Sequence, residues 1–252
     1  MVSSSAQMKH DVRVAIISDI HGNMEAFRAV LEDIDRCDID DIICLGDSIG
    51  YGAEPNEVIY LLREHRIPTI IGNHEMAAIN RKRLSWFNPT ARMSLEMTFQ
   101  KLSETSLKFI ADLKTSLLRY DCRFVHGFPP DSQTVYLFQA SEKKLQSTFR
   151  KMTENICFVG HTHELKMIGF NGTYVEHIPL SKTVVNLKDG KYIINVGSVG
   201  QPRDGNRDAK YVIWDSSEEN IEVRFVPYDV AAAADKIIHA GLPHTHAERL
   251  LG

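Results

Sequence analysis

The chain has 252 residues, 43% of them hydrophobic, which suits one large domain, or a domain with an inserted cap, around a sizeable core. A formal net charge of −4 gives no global reason to expect nucleic acid or an anionic membrane as partner, and the only dense basic run is Arg81 to Arg83. The polar start MVSSSAQMKHD lacks an apolar stretch of signal-peptide length, and no apolar run approaches a membrane span, so the expectation is a cytoplasmic protein with roughly ten disordered leading residues.

In chain order, VRVAII (Val12 to Ile17) is a β-branched run that reads as a buried strand stopping at Ser18 and Asp19. Helical spacing of Met24, Phe27, Val30, Leu31 and Ile34 follows, with Asn23 favoured as N-cap. DIICL (Asp41 to Leu45) is a second strand, and PNEVIYLLREH a helix opened by Pro55. IPTII (Ile67 to Ile71) is read as a third strand. This βαβαβ order predicts parallel pairing with helical crossovers. Residues 76–118 hold no convincing strand and read as a helical cap broken at Phe87 to Thr90, on which Arg81 to Arg83 form a solvated face.

Strand signals then dominate: CRFVH, ICFVG, KMIGF, TYVEHI, TVVNL, YIINV and YVIWD, with the half-exposed alternation of NIEVRFV after them. FNGTYV and LKDGKY carry hairpin signals. Ser141 is placed to cap the helix SEKKLQSTFRKM, and DVAAAADKIIHAGL reads as a closing helix. Of the four cysteines, Cys44, Cys122 and Cys157 sit in apolar runs as small hydrophobes; with Cys37 they form no CxxC pair. The pattern predicts an α/β fold of two packed mixed sheets with helices outside, an αββα sandwich.

Five of these apolar strands end in Asp, Asn or His: Asp19 and His21; Asp47; Asn73 and His74; His126; His161 and His163. Singly, each has an ordinary explanation as a turn or cap residue. Jointly, they collect where loops converge at strand ends. Carboxylates and imidazoles without a thiolate suit Mn, Fe, Ni or Zn rather than a structural zinc cage. The tripeptide HTH occurs twice. His161 and His163 leave a strand, where i and i+2 point to one side. His244 and His246 precede a helix-like run, where i and i+2 lie about 200° apart, so this pair is expected to be a solvated helix start.

The segments SDIHGN, LGDSIGYG, IGNHE, VHG and GHTH resemble, in order, the five blocks of the calcineurin-like metallophosphoesterases. GDSIGYGAEPNEVI and INVGSVGQPRDG are similar to the small prokaryotic phosphodiesterase branch. The resemblance implies two divalent metals, Mn favoured, with Asp19, His21 and His163 on one, Asn73, His126 and His161 on the other, and Asp47 bridging. His74 would face the substrate as general acid, protonating the leaving alkoxide. Two metals about 3.5–4 Å apart would activate a bridging hydroxide and neutralise the phosphate.

Two departures from the family stand out. Glu75 occupies a position that is often Asp in this branch, where it can orient the preceding histidine. Ser48 stands where phosphoprotein phosphatases carry a phosphate-gripping arginine. Arg203 is the candidate replacement, unless it pairs with Asp204 or Asp208 at the surface. The leading expectation is hydrolysis of a small phosphodiester, with a homo-oligomer open. The alternatives are a phosphomonoesterase on nucleotides or phosphoproteins, and a non-catalytic scaffold. A scaffold should show broken ligand positions, and none is broken here.

Overall fold

The computed structural model describes residues 11–252; the leading segment expected to be disordered lies outside them. β1 (Arg13–Ile17) leads through α1 (Met24–Ile34) to β2 (Asp41–Cys44), and α2 (Pro55–Glu64) follows. Asn23 caps α1 by accepting from the Ala26 amide at 3.1 Å, and Pro55 opens α2. The third strand expected at Ile67 to Ile71 is reduced to isolated bridges, Thr69 with Cys44 and Ile70 with Lys114. Pro68 has no amide to donate, and the chain turns at Gly72 into α3 (Asn73–Ile79), so no ladder can extend.

A 3-10 turn over Arg81–Trp86, α4 (Pro89–Lys101) and α5 (Glu104–Ala111) make up the helical segment, broken as expected beside Asn88, which caps α4. Its end departs from expectation: β3 (Ser116–Arg119) is a strand, antiparallel to β4 (Cys122–Val125). As a partly exposed edge strand it needs no continuous apolar run, which is why the sequence signal was weak. After α6 (Glu142–Lys151), capped by Ser141, come β5 (Ile156–Val159), β6 (Leu165–Phe170), β7 (Val175–Ile178), β8 (Val184–Asn186), β9 (Lys191–Val196), β10 (Ala209–Asp215) and β11 (Asn220–Val226). The chain ends in α7 (Val230–His239) and α8 (His244–Leu251), so α7 is not the closing helix.

Two mixed sheets result, ordered β2-β1-β10-β11-β8 and β3-β4-β5-β9-β6-β7. Asn171-Gly172 makes the expected hairpin between β6 and β7. Asp189-Gly190 does not: β8 pairs with β11 in one sheet and β9 with β5 and β6 in the other, so this turn carries the chain between sheets. Alternation along β1 explains the layering. Val14 and Ile16 face Phe124, Phe158 and Ile194 between the sheets. Ala15 and Ile17 face Phe27, Val30 and Val58 of the outer helices. On the other outer face, Leu145 and Phe149 of α6 cover Val125, Cys157 and Ile193. All four cysteines are free. This is the αββα sandwich, and the exits of β1, β2, β4 and β5 meet at one end of it.

Candidate metal centre

The backbone at this end is strained in a concentrated way. Among the described residues ten non-glycine positions have positive φ, and six of them are Asp19, His21, Asp47, Tyr51, His161 and His163. Left-handed backbone costs a non-glycine residue about 1–3 kcal/mol and persists only where its surroundings hold it. Here the hold is a web between loops: the Asp19 amide donates to Gly46 O at 3.0 Å, His21 to Asp47 O at 2.9 Å, and Gly200 to Asp19 O at 2.9 Å. Gly72 approaches so closely that a Cβ there would clash with the Asp47 carboxylate.

The side chains form two linked groups. In the first, His21 Nε2 and His163 Nε2 lie 3.1 Å apart, and Asp19 Oδ1 is 3.7 Å from the former and 3.3 Å from the latter. In the second, His126 Nε2 lies 3.0 Å from Asn73 Oδ1, 3.2 Å from His161 Nδ1 and 3.2 Å from Asp47 Oδ2. Asp47 Oδ2 is also 3.9 Å from His21 Nε2, so this carboxylate adjoins both groups. His161 and His163 both reach one cavity, as expected, and belong to different groups there, His161 with His126 and Asp47 and His163 with Asp19 and His21.

These atoms fit metal ions on their own geometry. His21 Nδ1 meets Ile49 O at 3.0 Å, His126 Nδ1 meets Leu45 O at 2.9 Å, and His163 Nδ1 meets Gln201 O at 2.6 Å. A carbonyl only accepts, so each Nδ1 carries a proton, and wherever the ring is neutral its Nε2 presents a bare lone pair. In that state nitrogens and carboxylate oxygens point at one another across 3–4 Å without a donor. Asp19 Oδ1 is buried without any hydrogen-bond partner. Such convergence calls for a cation.

The protonation equilibria express the same demand. Burial pushes His161 down to about 3, helped by His126, and His163 down to about 4, helped by Arg203. Asp47 and Asp19 are buried too, yet the surrounding imidazoles hold both below the ordinary carboxylate range, His126 leading at Asp47 and His163 at Asp19. His126 goes the other way: burial opposes its charge, but Asp47 lifts it to about 9. In the metal-free protein a proton on His126 answers part of the need for positive charge.

His74 sits beside these groups with its Nε2 3.8 Å from Asp47 Oδ2, its Nδ1 buried and unpartnered, and its ring 5.0 Å from Phe87. Burial holds it well below the usual imidazole range, with Asp47 opposing. A Cβ on Gly50, where φ is +91°, would overlap His74 Nδ1. Among the described residues Glu75 makes no hydrogen bond to the His74 ring that would orient it. Its carboxylate accepts from the amides of Asp47 (2.9 Å), Ser48 (2.7 Å), Ile49 (3.3 Å) and Gly72 (3.0 Å), so it holds the Asp47 loop instead. The extra methylene relative to Asp gives it that reach. Burial, then repulsion from Asp47, raises Glu75 to about 7 against His126 and the amides of Asp47 and Gly72.

A cavity of about 1270 Å³ opens over Asp47, Asn73, His74, His161 and His163. Tyr136 stacks on His161 at 3.9 Å between ring centroids. Arg203 lines the cavity, and its amide donates to His163 O at 3.1 Å. The surface pairing considered for it is absent among the described residues: Asp204 pairs with Lys210 at 2.8 Å. The terminal histidines depart from expectation. His244 is exposed, as a solvated helix start should be, but His246 is 2% exposed and lies 4.6 Å from the Tyr51 ring in the cavity wall. The two do point apart; α7 and α8 pack back against Ala53 and Met97, which turns the His246 face onto the site. Sequence reasoning missed Tyr51, Gln201 and Arg249. Tyr51 was visible within GDSIGYG and Gln201 within INVGSVGQPRDG; nothing local marked Arg249.

The calcineurin-like phosphoesterase superfamily domain model matches residues 12–219. The chain belongs to that superfamily. An uncharacterized protein of Methanocaldococcus jannaschii is 36% identical over 243 residues, covering 94% of this chain and 96% of that one. The crystal structure of a metallophosphoesterase from Sphaerobacter thermophilus shares 35% identity with a TM-score of 0.82, covering 96% of this chain and 99% of that one. A hypothetical protein of Pyrococcus horikoshii, at 19% identity and a TM-score of 0.78, shares the fold over 95% of this chain and 97% of its own. Membership makes the protein a metal-dependent phosphoester hydrolase. No helix among the described residues is long and apolar enough to cross a membrane.

Proposed function

We propose that the chain hydrolyses a phosphodiester at a two-metal centre, as one domain whose helical segment 76–111 caps the site. The observation that carries this is the pair of linked donor groups, with bare Nε2 atoms fixed by backbone carbonyls and Asp47 adjoining both. Asp19, His21 and His163 would hold one ion, Asn73, His126 and His161 the other, and Asp47 both; Mn is favoured, with Fe, Ni or Zn compatible with these donors. When bound, such ions supply an activated water and neutralise phosphate charge.

The protein's own contributions follow from its side chains. Glu75 and the strained strand exits hold the donors at fixed spacing before substrate arrives. His74, on the cavity wall with an unpartnered Nδ1, protonates the leaving oxygen. An arriving phosphate anion opposes the burial effect on its ring and favours the protonated form. Arg203 contacts an anionic group of the substrate. Diesters are favoured because Ser48 offers no guanidinium beside the donors for a doubly charged terminal phosphate. One observation supports the phosphomonoesterase reading as runner-up: Arg203 and Arg249 line the same cavity without ion-pair partners among the described residues.

The test is metal analysis combined with matched alkyl and p-nitrophenyl diesters and monoesters, assayed after chelation and after adding back Mn, Fe, Ni, Zn or Mg. Activity should vanish on chelation and return best with Mn, and diesters should lead. Full activity in metal-free protein would remove the metal reading, and a monoester preference would promote the alternative.

A further inference from the structure

We propose that the cavity contains a second anion subsite, built by Arg203, Arg249 and His246, which binds a phosphate group of the substrate other than the one being hydrolysed. This rests on the phosphoester reading above for the reacting end. The substrate class it implies is a phosphodiester that carries an additional phosphate.

Three observations converge. First, two guanidiniums share a single neutral acceptor: Arg203 and Arg249 both donate to Gln201 Oε1, at 3.1 and 3.4 Å. Like charges so placed repel, and an anion between them relieves that repulsion. Second, neither arginine is in an ion pair among the described residues, although an acid stands next to Arg203 in sequence; Asp204 is committed to Lys210 at 2.8 Å. Third, two residues that line the cavity carry polar atoms with no partner. Arg203 Nε is buried and unpaired, and so are both ring nitrogens of His246, a side chain 2% exposed on the cavity wall. Buried polar groups are normally satisfied, so an unsatisfied cluster points to a ligand.

The location separates this subsite from the metal donors while keeping it within one substrate's reach. Tyr51 is in ring contact with His21 at 4.5 Å and with His246 at 4.6 Å, and the Arg203 guanidinium is 5.9 Å from the Tyr51 centroid. One aromatic ring therefore touches both places. His246 is pushed down to about 4, first by burial and then by Arg249, so it is neutral near pH 7 and offers one N–H to an anion.

The test uses the full chain loaded with Mn and two substrates: the p-nitrophenyl ester of thymidine 5′-phosphate, and the same ester bearing a 3′-phosphate. Wild type should prefer the 3′-phosphorylated ester by about 10- to 100-fold in kcat/KM, mainly through KM, the range spanned by one hydrogen bond to a charged group. Arg249→Ala should collapse that preference, and Arg249→Lys should retain part of it. No preference in wild type, or an equal loss on both esters in Arg249→Ala, would overturn the proposal. The second outcome would assign Arg249 to the scissile phosphate. Calorimetric titration of the chelated full chain with inorganic phosphate gives a readout independent of turnover. Binding in wild type that weakens about tenfold in Arg249→Ala, even if neither ester is turned over, keeps the subsite and counts against the phosphodiester reading. No phosphate binding by wild type rejects the subsite.

Discussion

Replacing Glu75 by Gln isolates what holds the Asp47 loop. The carboxylate is fully buried and accepts four backbone amides, two on each oxygen: Ser48 and Ile49 on Oε1, Asp47 and Gly72 on Oε2. A glutamine has the same shape but one acceptor. Whichever way its amide is set, two backbone N–H groups face an NH₂ group that cannot accept. Each orphaned buried donor costs about 1–3 kcal/mol. Removing a buried carboxylate beside Asp47 returns part of that, since burial and Asp47 both disfavour its charge. The net expectation is a loss of about 3 kcal/mol, or roughly 6–12 °C in the melting midpoint of a chain this size. Denaturant unfolding of chelated wild type and variant measures it, with metal analysis alongside, because the loosened residues 47–49 carry Asp47. A variant within about 0.5 kcal/mol of wild type, with full metal content, would refute the reasoning: the loop would then keep its shape without the carboxylate.

Three further outcomes are expected. His163→Ala and His161→Ala should each lose metal and activity while His244→Ala keeps both; metal loss in the His244 variant would break the distinction between the two HTH copies. His74→Asn should retain metal yet slow an alkyl diester by about 10²–10⁴-fold and a p-nitrophenyl diester much less; an equal loss on both leaving groups removes His74 from the acid role. The pH dependence of metal-free stability is led by the depressed histidines, which together outweigh the opposite contribution of the raised Glu75. His161, His163 and His246 fall to about 3, 4 and 4 in the fold, below their unfolded value of about 6.5, so their contribution is present above pH 6.5 and lost as pH falls toward 4 and below. The denaturant midpoint in chelator should drop over that window, and less steeply in His246→Phe; a flat profile, or an unchanged slope in the variant, contradicts it.

Much of this molecule was written locally. Val14, Ile16, Ala15 and Ile17 alternate between two faces because a strand has a period of two residues, and since all four are apolar the run predicts a strand covered on both sides. Asn23, Asn88 and Ser141 cap helices through a side chain and an amide three residues on, a purely local bond. The residues proposed as donors were legible for a related reason: they follow apolar runs closely, and the ends of parallel strands such as β1 and β2, or β4 and β5, bring such positions together.

Other features had no local signature. Ile67 to Ile71 has strand composition, but Pro68 and the turn at Gly72 leave it two bridges. Asp189-Gly190 has a hairpin turn's residues, yet the strands flanking it pair in different sheets, because pairing is decided by which partners remain available after the whole sheet forms. Glu75 could be seen beside His74 in sequence, but its four amide partners lie on two loops whose approach depends on packing. His246 and Arg249 are the clearest case. Helix geometry gives the direction in which His246 points relative to His244; only the docking of α7 and α8 against Ala53 and Met97 determines that this direction is the cavity. Periodicity and caps act over a few residues and can be read along the chain. The meeting of Tyr51 with His246 is set by side-chain packing between distant segments, which exists only once the fold is complete.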